Sequence, residues 1–420
     1  MTLARMKSAL ESSDSWQRNL DFSDLEGVPS PEPTAGLITK LLLDEALRGF
    51  FGQNSKDFWV RTNEVDDVPR RELEHILEVY DDYGWIDDPA SFHPEPPALE
   101  DVTIVSGRRG HHRFEHMRFD SEYEPHADDP ARERWLGYRG NRTAHAWLLR
   151  HSSHSDRPWL ICLHGIGMGT PYMDFPAFRR KTIYEELGFN VLWYVKPFHG
   201  PRGMEKSSYG AFSRGERSSG FLKTVHGPGR RGSTSHETFS RGIGNLIQVQ
   251  AQTMWDLRRI ISWIRAQHGS RIGAYGLSLG GYAASLLSGL VDDLDVVVAG
   301  IPGTDFIDLF EHNLPPPEKG ERDLLIPFWR DARRAMRVVS PLALPCRVPK
   351  EQRYIFGGLA DRLTPPRGVH NLWRHWEKPR IAWYPGSHVS FLFEREVTEL
   401  LDDAFEGMRD RALRDAQREI

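Results

Sequence analysis

The 420-residue sequence has two cysteines, Cys162 in an apolar run and Cys346 between prolines, too few for a disulfide framework or a cysteine zinc site. Both are expected to be reduced thiols. Long apolar runs are missing as well: no stretch approaches the roughly 18 residues of a membrane helix. The opening "MTLARMKSALESSDSW" has no apolar core of signal-peptide length. A cytoplasmic location with no integral membrane segment is therefore expected. Charge of one sign is not in large excess, with 54 basic against 59 acidic residues and a formal net charge of −5. That balance argues against nucleic acid as a partner. No internal repeat is found, and neither the Lys-Ser/Thr ending of a P-loop nor a dinucleotide G-x-G-x-x-G follows a strand.

What is present is a soluble globular composition, 39% apolar and 27% charged. Residues 1–100 carry two stretches with helical spacing of apolar residues, "GLITKLLLDEALRGFF" and "RRELEHILEVYDDYGW". Proline-rich segments, "VPSPEP" and "DDPASFHPEPPALED", break the chain around them. This reads as an N-terminal helical extension followed by a domain over 101–420. Three β-like runs come next, "DVTIV", "HRFEHMRF" and "RTAHAWLLR", and predict an antiparallel start to a sheet. After Arg157, apolar runs alternate with amphipathic stretches, which predicts an α/β fold with a mainly parallel sheet and helices on both faces. Its strands are read at 159–163, 191–195, 271–277, 295–301, 353–358 and 380–384, with a long helix over 245–269.

Two insertions interrupt the alternation, at about 197–244 and 305–339. The first is rich in Gly, Ser and Arg and includes Arg202, Lys206, Arg214 and Arg217, with Tyr209, Phe212 and Phe221 among them. Such a charge run is usually solvated, but it could draw in an anionic substrate group. Phe306, Leu309, Phe310 and Trp329 of the second are expected to pack. Either insertion could roof a pocket in the manner of a lid.

"AYGLSLGGYAA" (274–284) places Ser278 between Gly276 and Gly280, after one strand and before a small-residue helix. A nucleophilic serine on a tight strand-to-helix turn needs this context, because side chains at 276 or 280 would collide with neighbouring backbone; Gly281 widens the clearance. "LICLHGIGMG" (160–169) ends a strand in a glycine-rich loop that can aim a backbone N–H at an oxyanion. The N–H groups of Leu279 and of Ile166, or of Gly167, would make a two-donor hole. "YIFGGLADRLTPP" delivers Asp361 at a strand end and "IAWYPGSHVSFLF" delivers His388 at the next. A serine hydroxyl needs an imidazole to take its proton, and the imidazole needs a carboxylate to orient it. The chain order Ser278, Asp361, His388, all at one sheet edge, meets both needs.

These motifs, with "KPFHGPR" and "DLRRIISWI", resemble the α/β-hydrolase superfamily over most of residues 100–420. More narrowly, the sequence looks like the branch containing α/β-hydrolase domain-containing protein 18 and dienelactone-hydrolase-like proteins. The resemblance implies an α/β-hydrolase fold and a serine hydrolase acting on a small-molecule ester, possessing Ser278 as nucleophile, Asp361 as acid and His388 as base, with no metal or organic cofactor. An acyltransferase or C–C bond hydrolase would use the same three residues, and a non-catalytic binder on this fold would use none of them. Asp305 is the alternative acid. His164 is expected to bond loop backbone, and His199 either lines the pocket or supports structure. His111, His112 and His116 lack the spacing of a metal site and are expected on a solvated strand, and "HSSHSD" is expected to be a hairpin loop.

Overall fold

A computed structural model describes residues 22–31, 34, 36–37, 39–41, 44, 68–109, 112–151, 157–203, 242–267, 271–313 and 321–418. These residues form a nine-stranded sheet with strands β1 (Thr103–Arg109), β2 (His112–Asp120), β3 (Thr143–Leu149), β4 (Trp159–Leu163), β5 (Asn190–Val195), β6 (Ile272–Leu277), β7 (Leu294–Gly300), β8 (Arg353–Gly358) and β9 (Arg380–Tyr384). The spatial order is β1-β2-β3-β5-β4-β6-β7-β8-β9. The first three strands pair antiparallel, as does β3 with β5, and every pairing from β5 to β9 is parallel.

The helices are α1 (Val68–Asp82), α2 (Arg132–Leu136), α3 (Pro171–Ala177), α4 (Gly242–Ala266), α5 (Leu279–Leu287), α6 (Phe306–Asn313), α7 (Glu321–Ala335), α8 (Pro366–His375) and α9 (Arg395–Arg418). The strands from β4 to β8 are buried on both faces, so their residues read as nearly continuous apolar runs. Their alternation sorts side chains into two cores. Ile161, Leu163, Val297 and Ile355 face α1, α4, α5 and α8, whereas Leu160, Cys162, Val298 and Phe356 face α3 and α9. Parallel strands with helices on both sides bring the ends of β4, β6, β8 and β9 to one edge. The loops there carry the residues of interest.

Leu73, Ile76, Tyr80, Trp85, Phe92 and Leu99 from the first hundred residues share the first of these cores. The second insertion contains α6 and α7, where the Phe306 ring packs at a tilt on Tyr282 of α5 with centroids 4.5 Å apart and the Phe310 and Trp329 ring centroids are 6.2 Å apart. Most of the first insertion, with Tyr209, Phe212 and Phe221, lies outside the described residues, as do His111 and residues 152–156 of the expected hairpin loop. Among the described residues no helix is long and apolar enough to cross a membrane.

Candidate active site

β6 ends at Leu277, and Ser278 turns the chain into α5 with φ 56° and ψ −114°. A non-glycine residue at positive φ is strained and persists only where its surroundings hold it. Here the Ser278 N–H donates to the Gly300 carbonyl at 2.9 Å, and the Ser278 carbonyl accepts from Tyr282 N–H at 3.0 Å. The flanking glycines have a direct steric cause. A Cβ on Gly276 would overlap the Gly280 carbonyl, one on Gly280 would overlap the Leu163 carbonyl, and one on Gly281 would lie 2.9 Å from the Gly300 oxygen. Leu279, buried, opens α5. The β4 loop packs directly on the turn, because a Cβ at Gly165 would stand 3.5 Å from Ser278 Cβ. Ile166 follows, half-buried, and Gly167 has φ 75° with open space around it.

That loop is pinned from below. His164 donates from Nδ1 to the Gly165 carbonyl at 2.7 Å and accepts the Lys196 N–H at Nε2, 3.1 Å away, which fixes a neutral tautomer. Burial, with His199 and Lys196 nearby, holds its pKa well below the usual histidine range. Gly169 N–H donates to Asp174 Oδ1 at 3.1 Å, and burial raises that carboxyl to about 8.

Asp361 follows β8, fully buried at its side chain, and His388 follows β9 with its side chain 12% exposed. Asp361 Oδ2 lies 2.7 Å from His388 Nδ1. Its Oδ1 accepts the N–H groups of Leu363 and Thr364 at 2.9 and 2.8 Å, and the Thr364 hydroxyl is 2.8 Å from Oδ2. Burial opposes a positive charge on His388, but the Asp361 charge and hydrogen bond, with the charge of Asp44, outweigh it and raise the imidazole pKa above its usual value. Asp305 is elsewhere in the hydrogen-bond pattern. It accepts Ile307 and Asp308 N–H at the start of α6 and pairs with Arg333 at 3.3 Å.

No family model matches the chain. Over 404 residues it is 35% identical to the uncharacterized protein Rv2627c of Mycobacterium tuberculosis (strain ATCC 25618 / H37Rv), covering 96% of this chain and 89% of that protein. The uncharacterized protein MT2702 of strain CDC 1551 / Oshkosh matches to the same extent, 35% over 404 residues with 96% and 89% covered. The chain belongs to the family of these mycobacterial proteins. Among solved structures, an acetyl xylan esterase from Paenibacillus sp. R4 has TM-score 0.49 and 14% identity, covering 77% of this chain and 93% of that one. Acetyl xylan esterase 1 from Thermoanaerobacterium sp. JW/SL YS485 has TM-score 0.45 and 14% identity, covering 73% and 87%. The chain has an α/β-hydrolase fold, as its strand order and parallel core indicate.

The family fold also revises part of the sequence reading. His116 is not on a solvated surface: it is buried, stacked on His145, with its Nε2 2.9 Å from His145 Nδ1. Arg202 is not a solvated loop charge either. Its guanidinium is buried against Asp256 at 2.9 Å, Tyr194 at 2.9 Å and the Asn141 carbonyl at 2.7 Å. The physical reason lies on α4, where Gln248, Gln252 and Asp256 turn a polar stripe toward the core that a helical-periodicity reading takes as apolar. His199 is buried, with Nδ1 on the Pro197 carbonyl at 2.9 Å. Thr364 and Asp44 went unrecognised in the sequence. The D-x-x-T spacing of 361–364 is a local side-chain-to-backbone signal for the first; nothing local marks the second.

Proposed function

We propose that the protein is a serine hydrolase that cleaves a carboxylic ester through Ser278, His388 and Asp361. The observation that carries this reading is the Asp361–His388 pair at the same sheet edge as the strained Ser278. His388 Nε2 takes the Ser278 hydroxyl proton as Oγ bonds to the ester carbonyl carbon, and the N–H groups of Leu279 and Ile166 or Gly167 hold the resulting oxyanion. The proton passes to the departing alkoxide as the acyl–oxygen bond breaks. Water then adds to the acyl-enzyme, giving its proton to His388; the acid leaves as the Ser278 Oγ–acyl bond breaks and His388 returns the proton to Oγ. Asp361 holds the imidazole by Nδ1–H. Neither half of this cycle calls on a metal or organic cofactor. The substrate is a small molecule, the compartment cytoplasmic, and residues 1–100 form an extension on a hydrolase domain over 101–420. The motifs around these three residues ally the chain with the branch of α/β-hydrolase domain-containing protein 18 and the dienelactone hydrolases.

Reaction with a fluorophosphonate probe tests the assignment without knowledge of the natural ester. Wild-type protein should be labelled at Ser278, and Ser278→Ala should lose both labelling and ester turnover, the latter by several orders of magnitude. Turnover of a panel of esters by Ser278→Ala at the wild-type rate would remove the proposal.

A further inference from the structure

The loops that carry Asp361 and His388 are joined from behind by a residue of the N-terminal extension. Described residues between 36 and 44 are helical, and Leu37 and Leu41 pack on Ala360, next to Asp361. Lys40 Nζ bonds the Pro385 carbonyl at 3.1 Å and pairs with Glu394 at 2.6 Å. At the end of this segment Asp44 is fully buried. One oxygen, Oδ2, accepts two backbone N–H groups: that of His388 at 2.8 Å and that of Arg362, the residue after Asp361, at 3.1 Å.

We infer that Asp44 is a positioning residue for the proposed hydrolase, clamping the Asp361 loop to the His388 loop through the two backbone amides and adding a second negative charge behind the imidazole. The inference rests on the reading of Ser278, His388 and Asp361 given above. Its physical basis is that burying a carboxylate costs several kcal/mol unless its surroundings repay it. Among the described residues Oδ1 has no hydrogen-bond partner. A neutral acceptor could hold the amides alone. The charge has a use of its own, since Asp44 is among the groups that stabilise protonated His388. Burial and the Asp361 charge in turn raise the Asp44 carboxyl to about 6, with the amides of His388 and Arg362 pulling the other way. Among the described residues the titratable groups facing this cluster are Asp361, His388 and Tyr384, with the Lys40–Glu394 pair nearby.

Two variants separate clamp from charge. Asp44→Ala removes both, and should slow fluorophosphonate labelling of Ser278 by about 10- to 100-fold, because a misplacement of the order of 1 Å costs about that much. Asp44→Asn keeps an acceptor for the amides and loses the charge. It should label within about threefold of wild type on the high-pH plateau, with the acid limb of its pH–rate profile moved down by ~0.5 pH unit or more. A residue that merely docks the extension would leave that midpoint in place. Should Asp44→Ala melt below the assay temperature, the Asp44→Asn profile decides alone. A wild-type rate in folded Asp44→Ala, or a wild-type midpoint in Asp44→Asn, overturns the inference while leaving the serine hydrolase intact. Failure of wild-type protein to label overturns both.

Discussion

Lys196, the residue that follows β5, is fully buried, and among the described residues its Nζ has no hydrogen-bond partner. Burial alone pushes its pKa down to about 7. In the unfolded chain the amine holds its proton up to about pH 10.4. Between those values the unfolded state binds more protons, so this group's contribution to stability rises with pH. The destabilisation is greatest at pH 7 and below, and fades toward pH 10. Lys196→Met should therefore be more stable than wild type by ~2 kcal/mol or more at pH 6.5, with the gain shrinking at pH 9.5. Urea denaturation at the two pH values measures it, and a less stable variant at pH 6.5 would show that the charge is stabilised after all. Residues of this kind mark the limit of the sequence. Ser278, Asp361 and His388 stood out because each follows an apolar strand and their order is diagnostic of a chemistry. Lys196 and Asp44 take their character from burial created by distant segments, and "YVKPF" or "LLLDEAL" contains no trace of it.

At the scale of elements, the parallel strands were legible because burial on both faces leaves nearly unbroken apolar runs. The runs read at 159–163, 353–358 and 380–384 coincide with β4, β8 and β9; those for β5 and β6 differ by one residue at the start and that for β7 by one residue at each end. The long helix was less so: it spans 242–266 where the sequence reads 245–269, and Asn245, Gln248 and Gln252, which look solvated in sequence, are buried. The Ser278 turn depends on these elements being close. Gly280 lies against the Leu163 carbonyl at the end of β4, and Leu163 is paired with Gly276 of β6 on one side and Tyr194 of β5 on the other. Backbone in the middle of a sheet cannot give way to a methyl group without breaking those pairings. Gly280→Ala should thus cost ~3 kcal/mol or more. Gly167→Ala meets open space and only the strain of φ 75°, so it should cost roughly 1 to 2 kcal/mol. Equal losses for the two in denaturant titrations would show that β4 yields.

At the scale of the molecule, the N-terminal segment behaves as a brace across the site loops. Phe22, Leu25 and Val28 pack on Leu359, and Leu37 and Leu41 on Ala360, so two residues immediately before Asp361 are covered by it. Asp24 pairs with Arg367 and Glu26 with Lys378, both at 2.6 Å, and the Glu26 carbonyl is 3.0 Å from His370 Nε2. Exposed pairs of this sort contribute little, so the apolar contacts carry most of the docking. The sheet itself runs from Thr103 to Tyr384, and among the described residues none of its strand pairings involves this segment. Deleting residues 1–45 should accordingly leave the β-sheet signature in far-ultraviolet circular dichroism while lowering the melting temperature. The loss of labelling at Ser278 should exceed that of Asp44→Ala, because the covers over Leu359 and Ala360 go together with the clamp. A truncated chain that keeps its sheet and labels at the wild-type rate would mean that β8 and β9 hold Asp361 and His388 in place by themselves.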